Sequence, residues 1–282
     1  MKITECPRDA MQGIKDWIPT QTKIDYLNSI LKVGFDTVDF GSFVSPKAIP
    51  QLKDTAEVLA KLDLENTCSK LLAIVANKRG AEDACNFEEI DYLGFPFSIS
   101  EQFQQRNTNS SIEESLGRVQ EIKSLCDQNN KKLVVYISMA FGNPYGEEWN
   151  PEIAVKWSTL LANNLGIEIM ALSDTIGVSN RNNITQLFST LIPELPSVEF
   201  GAHLHSIPAN RYEKIEAAFK AGCRRMDSAI SGYGGCPMAT DDLTGNMATE
   251  ELLLFAKNNN LGLGLDLQKF EQAKEFSTKV FN

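Results

Sequence analysis

The sequence predicts an α/β fold in which eight strands and their helices close into a (β/α)₈ barrel, the TIM barrel. Short β-branched or apolar runs alternate with longer stretches of helical periodicity along the 282 residues, and each period indicates one type of element. The alternation is unbroken over eight units, which is typical of this barrel in a chain of this length. An open, doubly wound sheet is the alternative, but no G-x-G-x-x-G sequence follows the first strand candidate.

The strands are predicted where apolar or β-branched residues run without a helical period. In chain order they are Lys2–Cys6, Thr37–Phe43, Lys70–Val75, Tyr92–Ile99, Leu133–Met139, Glu168–Ser173, Val198–His205 and Arg224–Ile230. Helical patterns lie between them, at Pro19–Val33, Pro50–Leu62, Ser111–Asn129, Pro151–Asn164, Asn183–Ile192, Asn210–Ala221 and Thr249–Asn258. A further helix is predicted over Leu267–Phe281, with a packing role.

Several residues mark the ends of these helices. Ser111 and Glu114 have the spacing of a capping box, and Pro151 suits the first turn of a helix. Three glycines fall where a helix should stop before the next strand, namely Gly34, Gly166 and Gly222. Because no linker, repeat or low-complexity tract interrupts the chain, we expect one domain over residues 1–282.

The composition excludes several functional classes. The chain carries 37 acidic and 27 basic residues, a net charge of −10, which argues against a nucleic-acid partner. No stretch approaches the roughly 18 apolar residues of a membrane span. Six cysteines without C-x-x-C spacing indicate reduced thiols rather than a disulfide framework. With no apolar N-terminal leader and no peroxisomal C-terminal tripeptide, we expect a cytoplasmic protein.

The two histidines of the chain are both placed at the end of the seventh strand candidate. His203 and His205 are two residues apart, so in a strand both imidazoles project from the same face. Active sites of these barrels lie at the carboxyl ends of the strands, where polar side chains should converge. The sequence therefore predicts that both histidines bind one metal ion, the other interpretation being two incidental polar residues.

Three further residues would converge with the histidines once the barrel closes. Arg8 and Asp9 follow the first strand, where they offer a cation for a developing oxyanion and an anionic metal ligand; alone, they also fit a surface salt bridge. Asn246 follows the eighth strand and offers an amide oxygen, although alone it fits a helix cap. Carboxylate, imidazole and amide ligands together favour Mg²⁺ or Mn²⁺ over Zn²⁺ or Fe²⁺.

A glycine-rich loop, Gly232–Pro237, follows the eighth strand and contains Cys236. Three glycines in four residues allow positive φ angles and a close approach to a ligand. The cysteine could exchange protons there, or it could be passive in a flexible loop. Asp174 and Thr175 after the sixth strand could bind substrate, orient a ligand or cap the next turn, and Asp39 in the second strand is an acidic residue inside the barrel.

These residues resemble those of the 3-hydroxy-3-methylglutaryl-CoA lyases, which belong to the wider group of metal-dependent Claisen-condensing and aldol-cleaving barrels. The resemblance runs from about Ile3 to the final helix, and it implies one catalytic domain of the pyruvate-carboxyltransferase type over residues 1–282. Its most specific segments are Ser231–Pro237, Thr244–Asn246 and Ala248–Glu250, which match the signature loop with its catalytic cysteine. Further matches are Pro7–Asp9 with Gln12, Ser42–Lys47 with Pro50–Gln51, Ser111–Leu116, Asp174–Val178 and His203 with His205.

The resemblance implies cleavage of 3-hydroxy-3-methylglutaryl-CoA to acetyl-CoA and acetoacetate, in a homodimer and without a redox cofactor. The metal ligands would be Asp9, His203, His205 and Asn246. Arg8 would stabilise the thioester enolate, His203 or an adjacent group would remove the hydroxyl proton, and Cys236 would protonate the enolate carbon or shield it. The implied substrate contacts are Gln12, Asp39, Ser138, Asp174, Thr175, Gly234 and Gly235.

The chain departs from the family pattern at four places. Ser206–Pro208 replaces the Asp-Thr-Tyr that usually follows the second histidine, and Ala10–Ile14 replaces Gly-Leu-Gln-Asn-Glu. Ser138–Tyr145 lacks two cysteines, and Asp39 replaces a glutamate. These changes leave the acyl group open, and a related 3-hydroxy-3-alkyl acyl-CoA is the alternative substrate. The sequence does not distinguish leucine breakdown, ketone-body formation or an adjacent pathway.

Three other functions stay open on the residues alone. The chain could be a 2-oxo-acid aldolase, or a condensing synthase of the isopropylmalate or homocitrate type. Those synthases usually have a C-terminal extension and lack the glycine-rich cysteine loop. A non-catalytic barrel that binds CoA esters or metal is the third, and the joint presence of Arg8, Asp9, both histidines and Cys236 argues against it.

Overall fold

The computed structural model describes residues 1–235 and 244–281. Eight parallel strands close into a barrel in sequential order, with the eighth strand paired to the first. The strands are β1 (Lys2–Glu5), β2 (Thr37–Ser42), β3 (Lys70–Ile74), β4 (Ile90–Ser98), β5 (Lys132–Ser138), β6 (Ile169–Asp174), β7 (Glu199–Leu204) and β8 (Arg225–Ser228). The predicted barrel and all eight strand positions are confirmed, and an open sheet is excluded.

The described residues form eleven α-helices around the barrel. They are α1 (Pro7–Gln12), α2 (Thr20–Leu31), α3 (Thr55–Leu59), α4 (Lys78–Cys85), α5 (Glu101–Thr108), α6 (Ile112–Gln128), α7 (Pro151–Leu165), α8 (Arg181–Glu194), α9 (Arg211–Lys220), α10 (Thr249–Asn258) and α11 (Leu267–Phe281). None of the helices in this part of the chain has the length and apolarity needed to cross a membrane.

The sequence missed α1, α4 and α5 because each spans only six to eight residues. Helices this short are stabilised by tertiary contacts rather than by their own periodicity. The predicted helix over Pro50–Leu62 is wrong as a continuous element. A 3₁₀ turn covers Pro50–Leu52 and α3 begins only at Thr55, whose hydroxyl donates to the Leu52 carbonyl at 2.8 Å.

The predicted helix caps are confirmed. The Ser111 hydroxyl accepts a hydrogen bond from the Glu114 backbone N–H at 3.0 Å, and the Glu114 carboxylate accepts one from the Ser111 N–H at 2.8 Å. Pro151 lies in the first turn of α7, and Gly166 ends that helix in the left-handed conformation at φ 65°. Local sequence therefore sets where these helices begin and end.

Side chains alternate between the two faces of each strand, and this divides the buried apolar residues into two cores. The larger one lies between the barrel and its helices, and the smaller one fills the barrel interior. The interior core consists of Leu72, Ile74, Tyr92, Val134, Tyr136, Ile169 and Ala171. All of these come from β3 to β6, so the inward positions of the other four strands are left for polar side chains.

The last helix packs on α2 and reaches the loop that follows β8. Tyr26 of α2 stacks on Phe276 of α11 with ring centroids 6.2 Å apart. Phe281, at the end of α11, stacks on Tyr233 with centroids 4.2 Å apart. The predicted extra helix is therefore present, and it supports the glycine-rich loop from outside the barrel.

Candidate active site

Arg8 and Asp9 stand at the mouth of the barrel because α1 begins directly after β1. Pro7 occupies the first turn of this helix, where its fixed φ angle suits helical geometry. Both Arg8 and Asp9 are 7% exposed. The pair is therefore a buried part of the barrel mouth, and the interpretation as a surface salt bridge is wrong.

The Arg8 guanidinium binds two carboxylates and one amide. Its Nε and Nη2 donate to Asp39, at 3.0 and 2.5 Å from Oδ2. Its Nη1 donates to Asp9 Oδ1 at 3.1 Å and to Gln12 Oε1 at 2.9 Å. Burial raises the pKa of Asp39 to about 6, against the lowering effect of Arg8. Arg8 thus holds both carboxylates and Gln12 in one hydrogen-bonded group.

The four predicted metal ligands lie together. Ligand atoms of Asp9, His203 and His205 are all within 4.8 Å of one another. The Asn246 amide donates to Asp9 Oδ2 at 2.7 Å, and the backbone of Asn246 forms a bridge with that of His205. The two-residue spacing on the strand therefore places both histidines on one face, and closure of the barrel places Asp9 and Asn246 beside them.

The charges of this group suit a bound cation. Burial alone would raise the pKa of Asp9, but Arg8, both histidines and Asn246 outweigh it and lower the pKa. Burial and the neighbouring His203 lower the pKa of His205 to about 4, so its imidazole is neutral and free to ligate. His205 Nδ1 is buried without a hydrogen-bond partner among residues 1–235 and 244–281. These donors fit a divalent metal ion.

Asp227 on β8 is a site residue that sequence reasoning missed. Its Oδ2 lies 3.1 Å from His203 Nδ1, and a carboxylate on this ring nitrogen orients the imidazole and fixes its tautomer. Burial would lower the pKa of His203, but Asp227 outweighs it and raises the pKa. Asp227 carries no sequence signal because it lies inside a strand, and β8 has only four residues, too few for their alternation to assign its face.

Asp174 is the last residue of β6 and is 1% exposed. Its Oδ2 accepts hydrogen bonds from the Lys214 ammonium at 2.7 Å and from the Ser179 backbone at 3.0 Å. Lys214 also donates to the carbonyl of His205 at 2.8 Å. Asp174 therefore supports the chain end that carries His205, and Lys214, which sequence reasoning also missed, connects the two.

Thr175 and Ser138 lie at neighbouring strand ends. The Thr175 hydroxyl accepts a hydrogen bond from the backbone N–H of Met139 at 3.1 Å. Met139 has a φ of 61°, which is uncommon for a residue with a side chain. Ser138 is 6% exposed, and because it is two residues from Tyr136 on β5, both side chains are on the inward face of the strand. Both predicted substrate contacts are thus at the mouth of the barrel.

The loop after β8 approaches the site closely, as its glycines predict. Gly232, Gly234 and Gly235 have φ angles of 69°, 93° and 146°. A Cβ atom on Gly234 would lie 2.8 Å from the Asn246 amide nitrogen and 3.1 Å from the Asp9 carbonyl. Only glycine fits there. Cys236 lies outside the described residues.

Comparison with known proteins agrees with this geometry. A family model described as HMGL-like matches residues 3–276. The chain belongs to the HMGL-like family. This match covers the barrel and every described candidate residue of the site.

Curated relatives and solved structures extend the comparison. The chain is 32% identical over 285 residues to the cytoplasmic 3-hydroxy-3-methylglutaryl-CoA lyase of Rattus norvegicus, covering 100% of this chain and 81% of the relative. It is similar to the HMG-CoA lyase structure from Bacillus subtilis, with a TM-score of 0.92 and 28% identity over 99% of this chain and 93% of that one.

A third relative carries ligands. The HMG-CoA lyase from Acinetobacter baumannii was solved in complex with coenzyme A and 3-methylmalate. It has a TM-score of 0.91 and 27% identity, and the match covers 99% of this chain and 90% of that one. The likeness in fold therefore extends to a relative that binds coenzyme A.

Proposed function

We propose that the protein is a carbon–carbon lyase that cleaves 3-hydroxy-3-methylglutaryl-CoA to acetyl-CoA and acetoacetate. The observation that carries the proposal is the group formed by Asp9, His203 and His205, whose ligand atoms lie within 4.8 Å of one another beside Arg8. Membership of the HMGL-like family and the lyase relatives support the same reaction. One barrel domain over residues 1–282 would carry it.

Asp9, His203, His205 and Asn246 would hold Mg²⁺ or Mn²⁺. A divalent ion supplies Lewis-acid chemistry, which polarises a bound oxygen and makes its proton easier to remove. Asp9 brings the negative charge to this set, and Asn246 positions the Asp9 carboxylate through the 2.7 Å hydrogen bond. A hard oxygen and nitrogen donor set of this kind suits both ions.

Arg8 keeps one donor for the substrate. A guanidinium has five N–H groups, and the bonds to Asp39, Asp9 and Gln12 use four of them among the described residues. The remaining Nη2–H would bind the thioester oxygen as it gains charge in the enolate of acetyl-CoA. The bonds to Asp39 and Gln12 fix the guanidinium before the reaction, so no reorganisation energy is needed to orient it when the enolate forms.

His203 has two proposed roles that compete for one ring nitrogen. It is proposed as a metal ligand and as the base that takes the C3 hydroxyl proton, while Asp227 occupies Nδ1. The His203→Ala variant separates the roles. Loss of bound Mn²⁺ would assign the ligand role, and retained Mn²⁺ with lost turnover would assign the base role.

Cys236 is proposed to protonate the enolate carbon, or to shield it as the loop closes. The C2–C3 bond breaks as the C3 hydroxyl loses its proton and becomes the ketone of acetoacetate, and the new proton enters at C2. Cys236→Ser should lower kcat strongly and leave Mn²⁺ affinity unchanged. Cys68→Ser, at an exposed cysteine, is the matched control, and a fall in Mn²⁺ affinity of Cys236→Ser would contradict the donor role.

The direct test is release of acetoacetate from 3-hydroxy-3-methylglutaryl-CoA. We expect release with added Mg²⁺ or Mn²⁺ and none with EDTA. Absence of release with either metal, in protein shown to bind the thioester, would refute the lyase proposal. Homologous 3-hydroxy-3-alkyl acyl-CoA esters should be run beside it, because the loops after β5 and β7 depart from the family pattern.

The biological setting is proposed on the same grounds. Cytoplasmic lyases among the relatives support a cytoplasmic location, and the reaction would serve leucine breakdown or ketone-body formation. The homodimer implied by the resemblance stays a prediction, which sedimentation velocity of the purified protein would check.

A further inference from the structure

We propose that Cys6, His203 and Asp227 form a second cation site, for a soft divalent ion such as Zn²⁺ or Cd²⁺. The Cys6 sulfur, a ring nitrogen of His203 and a carboxylate oxygen of Asp227 all lie within 4.8 Å of one another. This group lies deeper in the barrel than Asp9 and His205, because Asp227 is on β8 itself and Cys6 directly follows β1.

The first argument is an unused buried donor atom. Asp227 is 3% exposed, and its Oδ2 is bonded to His203. Its Oδ1 is buried without a hydrogen-bond partner among residues 1–235 and 244–281. A buried carboxylate oxygen with no partner is costly for a protein, and a cation beside it would remove that cost.

The second argument is the chemistry of the three donors. Cys6 is 1% exposed, and its one hydrogen-bond contact within residues 1–235 and 244–281 is a long one of 3.6 Å to the Thr4 carbonyl. Sulfur, nitrogen and oxygen donors together suit Zn²⁺, which prefers thiolate and imidazole ligands. The Asp9 set has no sulfur donor, so the two groups should select different metals.

The third argument is the electrostatic surroundings. The carboxylates of Asp227, Asp39 and Asp9 lie near the Cys6 sulfur. The same negative charges favour a cation, and when the metal–sulfur bond forms the thiol proton leaves to solvent.

The two cation sites would compete because both use His203. A neutral imidazole has one nitrogen lone pair and one N–H, so it binds one metal at a time. A soft ion beside Cys6 would therefore withdraw His203 from Asp9 and His205. Zn²⁺ should weaken Mn²⁺ binding and, if the proposed lyase reaction holds, inhibit it.

The test is a titration of metal-free protein with Cd²⁺, followed by thiolate-to-metal charge-transfer absorption. The protein carries Cys68→Ser to remove the exposed thiol. We expect one equivalent of Cd²⁺ with a thiolate band, and a loss of affinity of about 10²-fold in Cys6→Ser or Cys6→Ala. Cys223→Ser, at another buried cysteine, should keep the band.

Mn²⁺ binding completes the test without reference to turnover. Cd²⁺ should weaken Mn²⁺ binding in the parent protein and not in Cys6→Ser, whose Mn²⁺ affinity should otherwise be unchanged. A thiolate band that survives both Cys6 variants, or disappears in Cys236→Ser, would overturn the proposal. Either result leaves the acetoacetate assay unaffected, so the two proposals fail separately.

Discussion

The two halves of the barrel wall present opposite chemistry to the interior. From β3 to β6 the inward side chains form the apolar interior core, which includes Leu72 and Tyr136. From β7 through β8 and β1 to β2, charged and polar side chains take the same positions. They include Thr37, Asp39, His203, Arg225 and Asp227. Inside the barrel, the apolar side chains of β3 to β6 therefore face the polar and ionisable side chains of β7, β8, β1 and β2.

The difference shows how such a barrel can hold a charged site. The apolar half is tightly packed, because a Cβ on Gly94 would lie 2.5 Å from Ile74 Cδ1 and 3.1 Å from the Tyr136 ring. This packing fixes the strands that face the site. The polar half contributes the ligands, whose charges need partners from neighbouring strands. We therefore expect substitutions in the polar half to change function and those in the apolar half to change stability.

The largest expected effect is in the polar half. Arg8→Lys should lower kcat by about 10²–10³-fold, because one ammonium cannot bind Asp39, Asp9, Gln12 and the enolate oxygen together. Initial rates of acetoacetate release at saturating substrate measure this. Arg79→Lys, at an exposed arginine, is the control, and a loss below about tenfold would contradict the role of the guanidinium fork.

The apolar half should respond in stability instead. Leu72→Ala removes a fully buried side chain of the interior core, which should lower the free energy of unfolding by about 2–5 kcal/mol. Urea denaturation measures this change, and kcat of the folded protein should stay unchanged. Leu254→Ala, at an exposed leucine, should have little effect. A lower kcat for Leu72→Ala, measured where the variant is fully folded, would contradict the expected difference between the two halves.

The buried carboxyl group of Glu5, at the end of β1, should make the free energy of unfolding depend on pH. Burial raises the pKa of Glu5 from 4.5 to about 8, despite its hydrogen bonds from Thr249 and the Ile230 backbone. Between these two pKa values the folded protein keeps a proton that the unfolded chain has lost. The free energy of unfolding should therefore fall as pH rises, by up to about 1.4 kcal/mol per pH unit.

Glu5→Gln should remove that decline. The glutamine resembles the protonated acid, because its amide can accept from the Ile230 N–H and donate to the Thr249 hydroxyl. Urea denaturation of both proteins across this pH interval measures the slope, with Glu121→Gln at an exposed glutamate as the control for charge. Equal slopes in the parent protein and Glu5→Gln would show that Glu5 is ionised in the fold.

The smallest effect is expected at the base of the polar half. Arg225 is 1% exposed, and its guanidinium nitrogens have no hydrogen-bond partner in the described part of the chain. The carboxylates of Glu199 and Asp36 are 3.7 and 3.9 Å from Nη1. Arg225→Met should therefore change the free energy of unfolding by less than about 1 kcal/mol. A loss of about 3 kcal/mol in urea denaturation would indicate a strong ion pair.

Much of this site could be predicted from the sequence, because its signals are local. Two histidines at strand spacing share a face, and their ring centroids are 5.4 Å apart in the structure. Arg8 and Asp9 directly follow a strand, and the loop glycines have the positive φ angles that their type predicts. Asp227 and Lys214 carry no such local signal, since their importance depends on what they contact.

The sequence by itself determined the order of strands, the helix caps and the candidate ligands, since these depend on residues a few positions apart. The tertiary structure decided which polar side chains pair. Asp9 meets Asn246 across 237 positions, and Arg8 meets Asp39 across 31. It also placed Asp174 beside Lys214 and Asp227 beside His203. Closure of the barrel sets these contacts, because they depend on strand register rather than on neighbouring residues.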